Sequence, residues 1–117
     1  MPAVTRGPNI IGGVDQGDGD LDVIHCTLPR RKGMSSTVFV NASTVAGVLG
    51  RGVSRRTDLN TVHLLPGAPI CPPHQSPIFV GSLTVFADGL GIGRVGDDVG
   101  SALCTFVAEG SADVFAG

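Results

Sequence analysis

The chain has 117 residues, a formal net charge of −2 and 42% hydrophobic residues. This length supports a single domain, residues 1–117, because separate domains usually need on the order of 100 residues each. The near-neutral charge excludes a general attraction to nucleic acid or anionic lipid, and no stretch approaches the roughly 18–20 apolar residues that span a bilayer.

The hydrophobic residues are mainly of the kind that favours strands. The sequence contains fifteen Val and six Ile but only one Lys and one Glu. Long surface helices usually carry many Lys and Glu residues, whereas β-branched residues bounded by Gly, Pro, Asn and Asp are typical of strands joined by tight turns. The composition therefore predicts an all-β protein.

The first part of the chain carries no sorting signal and several charged clusters. Residues 1–7 lack the apolar core of a secretory signal peptide, so we expect synthesis in the cytoplasm. Asp18, Asp20 and Asp22 alternate as in a calcium loop, but the glycine and the closing glutamate of such a loop are missing. We interpret this segment as an acidic solvated loop, and the basic clusters 30–32 and 55–56 as solvated loops as well.

A short motif containing Val-Phe occurs three times along the chain. The three copies, here called the Val-Phe motifs, are Ser36–Val40, Leu83–Ala87 and Ala112–Ala116. Each is predicted to form a strand, and the first two are predicted to continue into return strands at 45–48 and 92–95. A lone hairpin is marginal in water, so repeated hairpins must share an apolar core. The uneven spacing places an insertion, Arg51–Pro77, between the first two copies.

All three histidines and one cysteine lie in turn-rich segments outside these motifs, namely His25, His63, His74 and Cys104. Three imidazoles and one thiolate make a complete tetrahedral set for zinc. The spacing Cys71-x-x-His74 resembles half of a structural zinc site. An odd number of cysteines without a secretory signal favours metal ligation over a disulfide framework. The alternative is that these are scattered histidines and free or buried thiols.

Several segments resemble the PAAR-repeat proteins, the pointed tips of the spikes in contractile phage tails and type VI secretion systems. The resemblance lies in Ser36–Asn41, Gly93–Asp97 and Gly110–Phe115, and spans nearly the whole chain. Pro2–Arg6 is similar to the opening segment of that family with one extra residue. A departure occurs in the first copy, where Gly47–Gly50 stands in place of the expected Arg-Val-Gly-Asp.

The resemblance implies a small conical domain of short strands and hairpins with pseudo-threefold internal repeats. It also implies a structural Zn²⁺ near the apex, with three His and one Cys as ligands. The matching residues are His25, His63, His74 and Cys104. Cys26 and Cys71 would then be alternative ligands or an oxidisable pair.

The implied function is mechanical and not enzymatic. A monomer with three similar units would cap a trimeric β-helical spike and contact the bacterial outer membrane briefly as the machine pierces it. Its location would be the tail tip or baseplate spike of a virion, or outside the cell after passage through a type VI apparatus. Because the motifs extend nearly to residue 117, we expect a bare tip with no appended toxin domain.

Two other classes of function are compatible with the sequence. A zinc-dependent hydrolase could hold the metal with His25, His63 and His74 and keep water at the fourth position. Against this, the chain has no His-Glu-x-x-His motif, Glu109 is its only glutamate, and Cys104 would close the site. A small β-rich adhesin or decoration protein would bind a receptor or a lattice and would not dock onto a spike trimer.

Overall fold

The computed structural model describes residues 1–8, 16–22, 29–41, 50–61, 75–100 and 105–117. Within these ranges the protein is all-β, as predicted, and none of them contains a helix, so none offers an apolar helix long enough to cross a bilayer. The strands are β1 (Asp20–Asp22), β2 (Phe39–Val40), β3 (Arg51–Gly52), β4 (Phe86–Ala87), β5 (Leu90–Gly91) and β6 (Thr105–Val107). They form three antiparallel pairs, β1 with β6, β2 with β3 and β4 with β5.

The strands are shorter than the Val-Phe motifs predict, and one serine in front of each motif explains why. The hydroxyl oxygens of three buried serines each accept hydrogen bonds of 2.9–3.2 Å from the N–H groups two and three residues later. These serines are Ser35, Ser82 and Ser111. A side chain that binds its own backbone in this way makes a turn, so the first half of each motif cannot extend. In the third motif, Phe115 alone pairs, with Ala3.

The return strands also differ from the prediction. β2 pairs with β3 at Arg51–Gly52, while the predicted return strand 45–48 lies outside the described residues. β4 pairs with β5 at Leu90–Gly91, two residues before the predicted start at 92. Asp88 and Gly89 between β4 and β5 both have positive φ, 54° and 78°, which is the signature of a two-residue hairpin turn whose twist matches the strands.

Three distant residues form a closed hydrogen-bonded ring at the centre of the fold, here called the central ring. The Thr5 N–H donates to the Gly93 C=O at 3.0 Å, the Gly93 N–H to the Ser54 C=O at 2.8 Å, and the Ser54 N–H to the Thr5 C=O at 3.0 Å. A Cβ on Gly93 would lie 2.4 Å from Ile78 Cδ1. Glycine is therefore required at this corner of the ring because three chain segments approach each other there.

The apolar core is small and divided into two clusters. Val4, Val53 and Ile92, the residues directly before the ring residues, are buried together with Ala87 and Ala116. A second cluster contains Ile78, Val99 and Val107. The molecule measures 46 × 30 × 22 Å, and its radius of gyration of 13.9 Å is close to the roughly 13 Å of a compact domain of this length. With so few apolar residues buried, polar contacts carry much of the organisation.

Candidate metal centre and its supports

The predicted zinc ligands His25, His63, His74 and Cys104 all lie outside the described residues, as do Cys26 and Cys71. The ligand set therefore stays a prediction. The described ranges contain no His or Cys, and within them no three metal-binding side chains come together. What the structure does place are the residues from which the ligand-bearing segments start and to which they return.

Each of the three segments, 23–28, 62–74 and 101–104, is closed at its base by a backbone hydrogen bond. The three N–H donors are Asp20, Asn60 and Val99. They bond to the carbonyls of Pro29 at 2.8 Å, Ser76 at 3.1 Å and Thr105 at 2.9 Å, respectively. The described residues that flank each segment are therefore neighbours in the fold.

The three bases are also joined to one another, and together they make what we call the anchoring frame. Asp22 pairs with Thr105 in the β1–β6 ladder, which joins the first segment to the third. The Thr61 N–H donates to the Arg30 C=O at 2.8 Å, and the Gly100 N–H donates to the Pro77 C=O at 2.7 Å. The residues that flank all three segments thus lie beside one another.

A fully buried ion pair supports the anchoring frame. Arg31 Nη2 lies 2.7 Å from Asp20 Oδ2, and neither side chain is exposed to solvent. Arg31 also donates to the Asp58 carbonyl at 3.1 Å, which ties the first segment's base to the second's. Burial lowers the pKa of Arg31, and the Asp20 carboxylate opposes this effect. A buried charge without its partner would be costly, so each member of the pair depends on the other.

This geometry corrects the interpretation of the charged clusters. The predicted acidic solvated loop is wrong, because Asp18 and Asp20 are 6% and 1% exposed and accept hydrogen bonds from arginines. The basic clusters are likewise not solvated throughout. Arg31 is fully buried and only Lys32 of 30–32 is exposed, while in 55–56 Arg55 is paired with Asp58 at 2.9 Å and Arg56 is exposed. Alternating charges look the same in sequence whether they face water or one another.

Three arginine–aspartate pairs with the same geometry surround the central ring. They are Arg6–Asp18, Arg55–Asp58 and Arg94–Asp97. In each pair the aspartate Oδ2 accepts the arginine backbone N–H at 2.8 Å, and the guanidinium donates to both carboxylate oxygens at 2.9–3.2 Å. Such charge-assisted, two-pronged bonds fix the backbone as well as the side chain.

These pairs show that the register chosen from the sequence was wrong. The counterpart of Arg94–Asp97 is Arg55–Asp58, and not Gly47–Gly50 as the comparison of motifs suggested. The predicted insertion Arg51–Pro77 therefore begins too early. The signal was present, because Arg-x-x-Asp occurs at both places. The third pair could not be found by spacing, since Asp18 follows Arg6 by twelve residues.

A further carboxylate joins the hairpins. Asp88, at the β4–β5 turn, accepts hydrogen bonds from the hydroxyls of Ser35 and Thr37 and lies 2.8 Å from Arg55 Nη1. The hydrogen bond from Ser35, then that from Thr37, lowers the pKa of Asp88, and the positive charge of Arg55 acts in the same direction. Asp88 thus connects the turn of one hairpin to residues on either side of the other.

Comparison with known proteins adds no relative to this picture. No protein-family model matches the chain, and no curated protein shows significant similarity to it. What the protein does must therefore be inferred from its own residues and contacts.

Proposed function

We propose that the protein is a PAAR-like spike tip, a structural monomer that caps and sharpens the trimeric central spike of a contractile injection machine in a phage tail or a type VI secretion system. The observation that carries the proposal is the central ring of Thr5, Ser54 and Gly93. A closed ring of three like hydrogen bonds arises naturally when three similar units surround one axis. The ring therefore supports pseudo-threefold internal repeats.

The contacts beside the ring support the same arrangement. The N–H groups of the three buried residues before the ring residues, Val4, Val53 and Ile92, donate to the carbonyls of Val114, Val38 and Val85 at 3.0–3.1 Å. These acceptors are the valines of the three Val-Phe motifs. The N–H groups of Ser111, Ser35 and Ser82 in turn donate to the carbonyls of Val4, Val53 and Ile92, all at 2.8 Å. These matching hydrogen bonds support an arrangement of three similar units.

A monomer of this kind suits a trimeric partner, because each unit can meet one spike subunit without a symmetry mismatch. In two units the chain passes from a strand pair, through the central ring, to the anchoring frame, and in the third the paired chain ends take the place of that strand pair. We therefore assign the hairpin end to the spike and the anchoring frame to the point. A spike that covers the hairpins would also protect their free strand edges from unwanted pairing.

At the point we propose a structural zinc ion held by His25, His63, His74 and Cys104. The anchoring frame supports this, since the residues that flank all the ligand-bearing segments lie beside one another. Three imidazoles and one thiolate leave no position for a reactive water, and a thiolate ligand favours zinc over harder metals. Such a metal would supply folding free energy where few apolar side chains are present. Cys26 and Cys71 remain alternative ligands.

Elemental analysis of the purified protein tests the metal site. We expect one zinc per chain in the parent, and loss of both metal and thermal stability in Cys104→Ser and in His63→Ala. Cys26→Ser and Cys71→Ser are the matched controls and should keep the metal. Full metal retention in both ligand variants would remove those residues from the site. Exchangeable zinc with hydrolytic turnover would instead favour the hydrolase.

Native mass spectrometry with the trimeric spike protein of the same organism tests the partner. We expect one chain per spike trimer. Phe115→Asp, which places a charge on an exposed side chain where the two chain ends pair, should weaken the complex, and Lys32→Ala should not. Binding to a host receptor or a capsid lattice without any spike complex would favour an adhesin or decoration protein and contradict the proposal.

A further inference from the structure

One side of the molecule carries an exposed apolar groove of about 300 Å³. Its walls include Phe79, Val80, Leu83 and Phe86, which are 53%, 43%, 81% and 56% exposed. Single exposed apolar side chains are ordinary, but four that line one groove mark a surface where something binds.

Among the described residues, the apolar side chains of this groove have counterparts beside neither of the other two Val-Phe motifs. The three buried serines before the motifs allow the units to be compared at the positions three and two residues before the serine and one after it. These positions carry Phe79, Val80 and Leu83 in one unit, Lys32, Gly33 and Ser36 in another, and Ala108, Glu109 and Ala112 in the third. A threefold spike presents the same surface three times and has no use for a groove on one side. The groove therefore suits a partner that binds once per chain.

The charge beside the groove indicates what that partner carries. Arg56 is the only ionisable residue among the described residues that line it. Each of the other six arginines lies within 3.7 Å of a carboxylate. Arg56 has no such neighbour in the part of the chain that the structure describes. An apolar ligand with one carboxylate would complement both the walls and the charge.

The same charge argues against a second copy of this chain as the occupant. A twofold dimer through the groove would bring two Arg56 side chains together with no acidic residue of the groove between them. A standard stable interface buries roughly 800 Å² on each partner, which is more surface than the lining of this groove offers. A short extended peptide needs less surface, and the N–H groups of Val80 and Leu83 donate to no acceptor within the described ranges.

We propose that this groove binds an extended apolar segment of a second protein, one segment per chain, with a carboxylate of that segment paired to Arg56. The inference relies on the proposed function only where it separates this partner from the spike. Because residues of β4 and β5 also line the groove, a spike that covers the hairpins would compete with this partner for the chain.

Selection from a display library of random 12-residue peptides on the purified full chain tests this proposal. We expect enriched peptides that combine apolar residues with one Asp or Glu. Their affinity should fall at least about tenfold in Leu83→Ser, which installs the residue found at the same position of another unit, because burial of a leucine side chain is lost. Leu21→Ser, the same substitution at an exposed leucine outside the groove, is the control and should bind normally.

A paired substitution tests the role of Arg56. Changing the peptide carboxylate to its amide should weaken binding to the parent but not to Arg56→Gln. No enriched peptide, or enriched peptides whose binding ignores Leu83, would overturn the proposal. Dimerisation of the parent that Leu83→Ser abolishes would overturn it in favour of a second copy. None of these results depends on the spike complex, so failure here and failure of the proposed function are distinguishable.

Discussion

The carboxylate of Asp97 accepts hydrogen bonds from both the backbone and the side chain of Arg94, so one residue holds a turn in two ways. Asp58 does the same for Arg55, and Asp18 for Arg6. Among the described residues the two buried apolar clusters contain only eight residues, so such polar contacts stabilise backbone that a larger core would otherwise stabilise. Their loss should therefore be visible in stability.

Asp97→Ala should lower the free energy of unfolding by about 2 kcal/mol, because the arginine loses charge-assisted bonds in a partly exposed site. The neighbouring Asp98→Ala is the matched control and should cost less than about 0.5 kcal/mol, since its side chain has no partner among the described residues. Urea denaturation of both variants measures the difference. Equal losses of unfolding free energy in the two variants would show that the Arg94–Asp97 pair does not stabilise the fold.

The buried pair of Arg31 and Asp20 has no charged counterpart at the corresponding positions of the other two units. At the corresponding positions those units carry Ile78 with Asn60, and Val107 with Val99. The pair is therefore replaceable in principle by apolar residues of the same fold, whereas removal of one member alone leaves an uncompensated charge.

Arg31→Ile alone should lower the free energy of unfolding by about 3–5 kcal/mol, because it removes the positive charge that faces the buried Asp20 carboxylate. Adding Asp20→Val should recover at least half of that loss. Thermal and urea melts of the single and double variants make the comparison, and an unfolded single variant beside a folded double variant gives the same answer. Simple addition of the two losses would contradict this account of the pair.

At the scale of elements, no strand among the described residues is longer than three residues, so ladder hydrogen bonds alone cannot define the architecture. The central ring links three chain segments through Thr5, Ser54 and Gly93, and the turn at Asp88 and Gly89 sets the register of β4 and β5. The two sites place different demands on glycine. At Gly93 the ring leaves no room for a side chain, whereas at Gly89 the turn requires a positive φ.

Gly93→Ala should cost about 3 kcal/mol, because its Cβ would lie 2.4 Å from Ile78 Cδ1 and 3.0 Å from the Ser54 oxygen. Gly89→Ala should cost about 1 kcal/mol, because nothing lies within 4 Å and the only penalty is the φ of 78°. Chemical denaturation measures the free energy of unfolding of both variants. A Gly93→Ala variant as stable as Gly89→Ala would mean that the ring tolerates expansion.

At the scale of the whole molecule, both ends of the chain complete one unit. The Ala116 N–H donates to the Pro2 carbonyl at 3.1 Å, and Ala3 pairs with Phe115. The Ser82 hydroxyl donates to the Gly117 carbonyl as the Ser35 hydroxyl donates to Asp88. The junction between the two ends thus corresponds to the Asp88–Gly89 turn of another unit.

A circular permutant follows from this correspondence. Joining residue 117 to residue 1 by a short Gly-Ser linker and opening the chain between Asp88 and Gly89 should give a folded protein within about 2 kcal/mol of the parent. Opening between Ser54 and Arg55 is the control and should prevent folding, since it cuts the central ring. Circular dichroism measures whether each permutant folds, and thermal melts compare their stabilities with that of the parent. Two permutants of equal stability would contradict the organising role of the ring.

The all-β class and the three Val-Phe motifs could be predicted from the sequence, because β-branched composition and short-range recurrence depend on residues near one another. The Arg-x-x-Asp turns at 55–58 and 94–97 were equally readable, although the first was overlooked. The ligand set of three His and one Cys stays a prediction from residue chemistry and resemblance. The fold supports this ligand set through the anchoring frame, which no local sequence pattern predicted.

Tertiary structure alone decided which charges are buried, which segments close the central ring, and how the chain ends meet. Arg6 finds its aspartate twelve residues away, and Asp88 binds Ser35 across 53 residues. Such contacts depend on where the chain returns in space, and an aspartate in a loop has the same sequence surroundings whether it meets water or an arginine. Spacing can specify a turn, but the partner of a buried charge is chosen only when the units come together.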